Sequence, residues 1–205
     1  MARKTKDEAL ATRAAIVDAA RRVFYERGVS RTSLDMVAKA AGVTRGAVYW
    51  HFANKAELFF AVKQEYTGAF ESLKEILDDT SSEDPLALLG RYMKLFFARM
   101  LSDPEAMQTY EIMLLRCEYV DEFSSVLNVL TEPCTALLDQ FRAIYKAAIT
   151  AGTITASLDA DLLARDTTAF MMGVFQGILV SRHLDAFSEN IDQLIDAHLN
   201  LRAGP

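Results

Sequence analysis

The chain has 205 residues, of which 51% are hydrophobic and 24% charged, and this composition predicts one or two folded domains and excludes disorder and large multidomain machinery. The net charge is −6, but residues 1–65 are basic, with 12 Lys and Arg against 7 Asp and Glu. This basic end is suited to bind a polyanion, or the charges are segregated only by chance. No uncharged run is long enough to span a bilayer and the basic start lacks the apolar stretch of a secretory signal, so we expect a cytoplasmic protein.

Apolar residues recur at helical spacing along almost the whole chain, and no alternating β pattern interrupts them. The pattern predicts an all-α protein of about nine helices. The first helix runs from about Asp7 to Arg27, where Gly28 can adopt the left-handed conformation that ends a helix. The second is barely two turns long, opens with a Thr32-x-x-Asp35 capping box and stops at Gly42.

Capping residues predict the third and fourth helices. Thr44 can cap a third helix that runs through about Trp50. The run Asn54-x-x-Glu57 starts the fourth, which carries a long apolar stripe.

Proline marks the later helix starts. Two Asp-Pro pairs, at 84–85 and 103–104, each place an acidic cap before Pro at the first helical position. A long helix with a bundle seam then ends at Gly152, and Pro133 either kinks this helix or marks its start.

The last two helices predict a partner subunit. They run from about Asp159 to His183 and from Ser188 to Arg202. The first is apolar on nearly all sides, which a monomer of this size rarely buries, and Gly173 and Gly177 would let another helix approach closely. We therefore expect a homodimer formed through these helices.

Three helices in the first fifty residues, with a tight turn at 41–43, have the layout of a helix-turn-helix. The third helix carries polar and small side chains where a core helix would carry long apolar ones. Arg45 can pair with a guanine edge, Gly46 leaves room for close backbone approach, and Ala47 can meet a thymine methyl. The donors suited to phosphate contacts are Thr32, Ser33, Thr44, Tyr49, His51 and Lys55.

The segment from Gly28 to Leu58 carries the most specific motifs. They are Thr32-Ser-Leu34, the run Ala38-x-x-Ala-Gly-Val43-Thr-Arg-Gly-Ala-Val-Tyr-Trp-His-Phe52, and Asn54-Lys55-x-Glu-Leu58. Together they resemble the DNA-binding domain of the TetR family. Residues 1–6, 84–86, 111–112 and 117–119 are similar to its AcrR-type branch, which represses multidrug efflux pumps.

This resemblance implies an all-α homodimer with a DNA-binding domain at 1–53 and a ligand-binding and dimerisation domain at 54–205. Two N-terminal domains would lie in successive major grooves of a palindromic DNA operator. A small hydrophobic inducer would release this repressor from a multidrug efflux operon or its own gene. The resemblance also makes Trp50 and Phe52 core anchors and His51 a phosphate contact.

The resemblance further implies an inducer cavity rich in Met and aromatic side chains, a set that suits hydrophobic ligands but is also typical of an ordinary core. Gln176 would supply its main polar contact with the inducer. The acidic C-terminal part favours a lipophilic cation, unless that charge is only a solvated surface. The implied lining comprises Phe70, Leu89, Tyr92, Met93, Phe96, Tyr110, Met113, Leu114, Leu137, Phe141, Phe175, Gln176 and Leu179.

Other readings of the chain are weaker or stay open. No Glu is followed by His three residues later, and His51, His183 and His198 form no metal motif, so we expect no catalytic residue, metal or cofactor. A nucleoid-associated protein that ignores DNA sequence stays open, as does a TetR-type regulator of a catabolic or other non-efflux pathway. Cys117 and Cys134 match no disulfide framework or zinc spacing and are predicted to be buried.

Overall fold

The computed structural model describes residues 6–78, 84–120, 123–154, 157–180 and 187–202. Within these ranges the chain forms nine α-helices, which confirms the predicted all-α class. The helices are α1 (Lys6–Arg27), α2 (Leu34–Ala40), α3 (Arg45–His51), α4 (Lys55–Asp78), α5 (Pro85–Ser102), α6 (Pro104–Leu115), α7 (Ser124–Ala151), α8 (Ala160–Val180) and α9 (Ile191–Asn200).

The helices form two compact units. The first takes its described residues from Met1–Gly68 and Glu105–Asn128, and the second from Ala69–Pro104 and Val129–Pro205. Aromatic contacts organise the core of the first unit, where the ring centroid of Phe59 lies 6.2 Å from that of Phe24 and 5.5 Å from that of Phe123. The predicted boundary after residue 53 stays a prediction.

Glycine and a hydroxyl set the boundaries of the first two helices. Gly28 has a φ of 81° and ends α1, and Gly42 has a φ of 68° in the turn after α2, as predicted. The predicted cap of α2 is wrong by one residue, because the side chain of Ser33 accepts the N–H of Met36. Thr32 instead donates its hydroxyl to the carbonyl oxygen of Gly28 at 2.8 Å.

The predicted caps of α3 and α4 are confirmed. The Thr44 hydroxyl accepts the N–H of Ala47 at 3.2 Å. At the start of α4, the Asn54 side chain accepts the N–H of Glu57 at 2.8 Å, and the Glu57 carboxylate accepts the N–H of Ala53 at 2.7 Å. The Asn54 cap is thus the one predicted, whereas the Glu57 carboxylate reaches one residue beyond the cap, so the pair differs from a standard capping box.

A buried arginine joins α1 to α6 inside the first unit. Arg21 is only 5% exposed, and its guanidinium donates to Glu105 at 2.9 Å and to Gln108. At the other end of α6, the N–H of Val29 donates to the carbonyl oxygen of Arg116 at 2.9 Å. Because both ends are attached, α6 and the N-terminal helices should move as one body.

The later helix starts follow the proline signals in part. Asp84 caps α5 by accepting the N–H of Leu86 at 3.1 Å, and α6 begins at Pro104. However, α7 runs through position 133 without a break, so the alternative that Pro133 starts this helix is wrong. The predicted end of α8 at His183 lies outside the described residues.

The predictions about small side chains have mixed outcomes. A Cβ on Gly177 would lie 2.7 Å from the ring of Phe187, so this glycine makes room for an aromatic ring of its own chain. At Gly173 no described atom outside the local backbone lies within 4 Å of such a Cβ, and the contact of this glycine with a partner helix stays a prediction. Cys134 is exposed on α7 rather than buried. Cys117 is half-buried, and burial raises the pKa of its thiol to about 11, so it is not a reactive thiolate at neutral pH.

A hydrogen-bond chain joins the last three helices in the second unit. The hydroxyl of Tyr145 on α7 lies 2.6 Å from that of Thr167 on α8, which lies 3.1 Å from Nε2 of His198 on α9. The His198 ring also stacks on Phe170, with centroids 3.9 Å apart. Burial lowers the pKa of His198 from 6.5 to about 4, so the ring is neutral at neutral pH.

His198 should make the second unit less stable in mild acid. Its pKa lies below the unfolded value of 6.5, so its contribution to the free energy of unfolding is present above pH 6.5 and is lost as the pH falls towards 4. Since the ring is only half-buried, we expect a loss of about 1 kcal/mol. Urea unfolding at pH 7 and pH 4.5 should show a smaller acid loss for His198→Gln than for the wild type. An equal loss in both proteins would contradict this assignment.

Candidate nucleic-acid interface

A single buried side chain anchors α3. Within this seven-residue helix, fully covered by the structure, only Val48 is buried. Phe52, directly after the helix, is also buried, as predicted, and the guanidinium carbon of Arg13 lies 5.2 Å from its ring centroid. Arg13 was not singled out by the sequence patterns. The remaining side chains of α3 are exposed or half-exposed, so most of the helix surface is available to a ligand.

Arg45 is held at two places although it is exposed. Its Nε lies 3.0 Å from Oδ1 of Asp35 on α2, and its guanidinium carbon lies 5.2 Å from the ring centroid of Tyr49. The hydrogen bond with Tyr49 and the charge of Asp35 both raise the pKa of Arg45. The side chain is therefore a cation on the surface of α3 with two neighbours that favour its charge.

Gly46 lies in open space on α3. A Cβ at this position would come no nearer than 4.0 Å to any heavy atom outside its local backbone, the nearest being Thr44 Oγ1. Packing within the described chain therefore does not require glycine, although glycine is unfavourable in a helix. A ligand that approaches the backbone closely would explain it.

Gly46→Ala should separate stability from DNA binding. Alanine is the better helix former, so the free energy of unfolding should rise by about 0.5 kcal/mol. If DNA approaches this backbone, the added methyl group should lower operator affinity by about tenfold, which corresponds to about 1.4 kcal/mol. Urea unfolding and fluorescence anisotropy with labelled operator measure the two effects. If the operator affinity is unchanged, the backbone at Gly46 does not lie close to DNA.

The predicted phosphate donors differ in their surroundings. Thr32 is only 4% exposed and its hydroxyl closes the turn after α1, so the structure gives it a local role. Ser33 and Thr44 are exposed, and their hydroxyls cap α2 and α3. Tyr49 is exposed beside Arg45. The phosphate contacts of these four residues stay predictions.

His51 is the last residue of α3 and Lys55 is the first residue of α4. The ammonium group of Lys55 donates to the carbonyl oxygen of Ser30 at 3.5 Å and lies 5.5 Å from the ring centroid of Phe123. The half-buried ring of His51 meets that of Trp50 edge-on, with centroids 4.5 Å apart. These contacts of Lys55 are thus outside α3, and its contact with phosphate stays a prediction, as does that of His51.

Trp50 is not a core anchor, contrary to the expectation from the resemblance. Its side chain is 73% exposed. The reason is helical geometry, since a residue two positions after the buried Val48 projects towards the opposite side of the helix. Helical spacing therefore carried a signal that would have placed Trp50 on the candidate interface.

The predicted inducer residues lie in both units. Tyr110, Met113 and Leu114 belong to the first, and the side chain of Phe70 lies outside the described residues. Within the second unit, ring contacts connect Tyr92 to Phe96 and Phe141, and Phe96 to Phe175, with centroid distances of 5.8–6.4 Å. We call these four side chains the aromatic cluster.

Other predicted inducer residues do not all face inward. Leu89, Met93 and Leu179 are buried and Leu137 is half-buried. Gln176 is exposed on α8, so the structure does not place it as the main polar contact in an enclosed cavity. Its contact with an inducer stays a prediction.

The part of the chain that the structure describes has no helix long and apolar enough to cross a membrane. The same residues contain no group of three or more His, Cys, Asp and Glu side chains placed to hold a metal ion.

Comparison with known families identifies both parts of the chain. Residues 16–62 match the family described as bacterial regulatory proteins, tetR family, and residues 84–203 match the C-terminal region of MAATS-type transcriptional repressors. The HTH-type transcriptional regulator TtgR of Pseudomonas putida is 33% identical over 210 residues, which cover 100% of this chain and 98% of TtgR.

Solved structures extend the similarity to the fold. NalD, the secondary repressor of the MexAB-OprM multidrug efflux pump in Pseudomonas aeruginosa, has a TM-score of 0.85 at 28% identity, covering 97% of this chain and 98% of NalD. SmeT, the repressor of a Stenotrophomonas maltophilia multidrug efflux pump, has a TM-score of 0.79 at 30% identity in its complex with triclosan, covering 95% of this chain and 92% of SmeT.

Proposed function

Because this chain belongs to the TetR family of bacterial regulatory proteins, we propose that it is a dimeric repressor that reads an operator with α3 and is released by a small hydrophobic inducer. The matched families regulate transcription and are not enzymes. The observation that carries the proposal is α3 itself, which is held by Val48 and presents Arg45, Gly46 and Tyr49 outward. Since its partner is the chromosome, we expect the protein to act in the cytoplasm.

Each side chain of the interface would have a distinct role. Arg45 would read a guanine, and Ala47 would contact a thymine methyl. Lys55 and Tyr49 would bind phosphates and fix the register of α3 in the major groove. Trp50, which is exposed on the same helix as Tyr49, would join them at the DNA surface.

Exposed apolar side chains on α8 and α9 support the homodimer. Leu162, Met172 and Val180 on α8, Leu194 on α9 and Leu201 directly after α9 all remain exposed in one chain. Such rows of exposed apolar residues commonly mark an interface. A symmetric dimer through these helices would present two copies of α3, which must lie about 34–36 Å apart to read two half-sites of a palindromic operator.

The relatives favour a multidrug efflux operon, or this protein's own gene, as the target. NalD and SmeT are both named as repressors of multidrug efflux pumps, and SmeT binds triclosan. The aromatic cluster could stack on flat hydrophobic compounds. An inducer that binds better to a conformation with the wrong spacing of α3 would shift the dimer away from DNA, by no more than its differential affinity for the two conformations.

Fluorescence anisotropy tests this function. Labelled DNA from upstream of the protein's own gene is titrated at physiological salt with random-sequence competitor, and then with ethidium or triclosan as a cationic and a neutral probe. We expect binding about 10³- to 10⁷-fold tighter than to random DNA, followed by release. Binding that competitor removes would favour the nucleoid-associated protein. Equal potency of the two probes would contradict a preference for cations.

A further inference from the structure

Asp35 is an acidic residue in contact with the side chain proposed to read DNA. It lies in the first turn of α2, its side chain is more than half exposed, and its Oδ1 is 3.0 Å from Arg45 Nε. A carboxylate at this place repels DNA phosphates. Its position in the first helical turn is favourable, because an acid there interacts well with the helix dipole. That effect does not require a contact with Arg45.

The contact uses an atom of Arg45 that recognition of guanine can spare. The shortest distance between Asp35 and Arg45 ends at Nε rather than at a terminal nitrogen. The two terminal nitrogens form a fork that can turn to a base once the hydrogen bond between this guanidinium and Tyr49 is given up. Such a fork can donate two parallel hydrogen bonds to O6 and N7 of guanine. The carboxylate therefore lies beside the Nε–H, on a different edge of the guanidinium from the one that the two terminal nitrogens form.

Tyr49 contacts the same guanidinium. With its ring centroid 5.2 Å from the guanidinium carbon, and with Asp35 on the edge, two contacts restrict a long and exposed side chain. An arginine that is already restricted loses less conformational freedom when it binds. A base that accepts two hydrogen bonds is therefore bound more tightly, whereas the affinity for a base that cannot accept two is not increased.

We propose that Asp35 is a positioning residue for sequence readout, which orients the fork of Arg45 and increases specificity while lowering affinity for DNA in general. The proposal rests on the proposed function of α3 in DNA binding. It predicts opposite changes in two measurable affinities. An acid that only stabilises α2 would change both in the same direction.

Asp35→Asn tests the proposal by anisotropy with the operator, its single-base-pair variants and random DNA. Loss of the negative charge should raise affinity for random DNA by about two- to fivefold. Loss of the contact with Arg45 should lower the ratio of operator affinity to random-DNA affinity by about tenfold. This loss should come mainly from discrimination at one base pair. Thermal unfolding of both proteins shows whether the fold is intact.

Two control variants separate the causes. Glu26→Gln removes another exposed carboxylate of the first unit and should raise affinity for random DNA without changing discrimination at that base pair. Arg45→Lys keeps the charge but removes the fork, and should lower discrimination without raising affinity for random DNA.

Each contrary outcome has a definite meaning. If Asp35→Asn raises the affinity for operator and for random DNA equally, Asp35 acts only as a repulsive surface charge. An equal fall in both, with a lower unfolding temperature, would make it only a helix-start residue. A wild-type protein that prefers no sequence would overturn the proposed function instead, and this inference with it.

Discussion

Met172→Glu should convert the dimer into monomers and lower operator affinity by more than about a hundredfold. Met172 is 58% exposed on α8, among the apolar residues of the proposed interface. A two-fold axis places the same patch of both subunits together, so one substitution introduces two carboxylates. Burying unpaired charge is strongly unfavourable, and a monomer reads only one half-site.

Sedimentation velocity and anisotropy measure these two effects. Leu95→Glu is the matched control, since Leu95 is an exposed apolar residue on α5 rather than on α8 or α9. It should leave both the mass and the operator affinity unchanged. If the Met172→Glu protein stays dimeric, this part of α8 does not belong to the dimer interface.

Arg45→Ala should lower affinity for the correct operator by about 5- to 150-fold and relax specificity at one base pair. Arg45 is the exposed cation at the start of α3, and a bidentate contact with guanine discriminates strongly against other bases. Operator variants at every position, measured by anisotropy, would locate the base pair. A uniform loss over all sequences would refute the base-reading role.

Lys55→Ala provides the contrast because Lys55 is expected to contact phosphate. Its loss should weaken binding to every sequence and lower the slope of log affinity against log salt by about one. Titrations at several salt concentrations measure the slope. A change at only one base pair would instead make Lys55 a reader of sequence.

Local chemistry made much of this fold predictable. Gly28, Thr44 and Asn54 mark helix boundaries through interactions within four residues, so the sequence contains both partners of each contact. Ser33 shows the limit of such patterns, because Thr32 and Ser33 can both cap a helix and only the turn after α1 decides between them.

Tertiary contacts were much less predictable. The close approach of Gly177 to Phe187 joins residues that no periodic pattern connects. The error on Trp50 has a different source, because the resemblance implied a core anchor while the helical spacing from Val48 already indicated exposure. The contact between Asp35 and Arg45 depends on the angle between α2 and α3, which the sequence does not state.

The exposure of Trp50 gives this protein an intrinsic optical reporter. The chain contains 1 Trp, and this indole is 73% exposed on the helix proposed to enter the major groove. Its emission in the free protein arises from a hydrated ring, and contact with bases or sugars would replace that water. With excitation that selects Trp over the 7 Tyr of the chain, operator occupancy could therefore be followed in unlabelled protein by emission that comes from α3 alone.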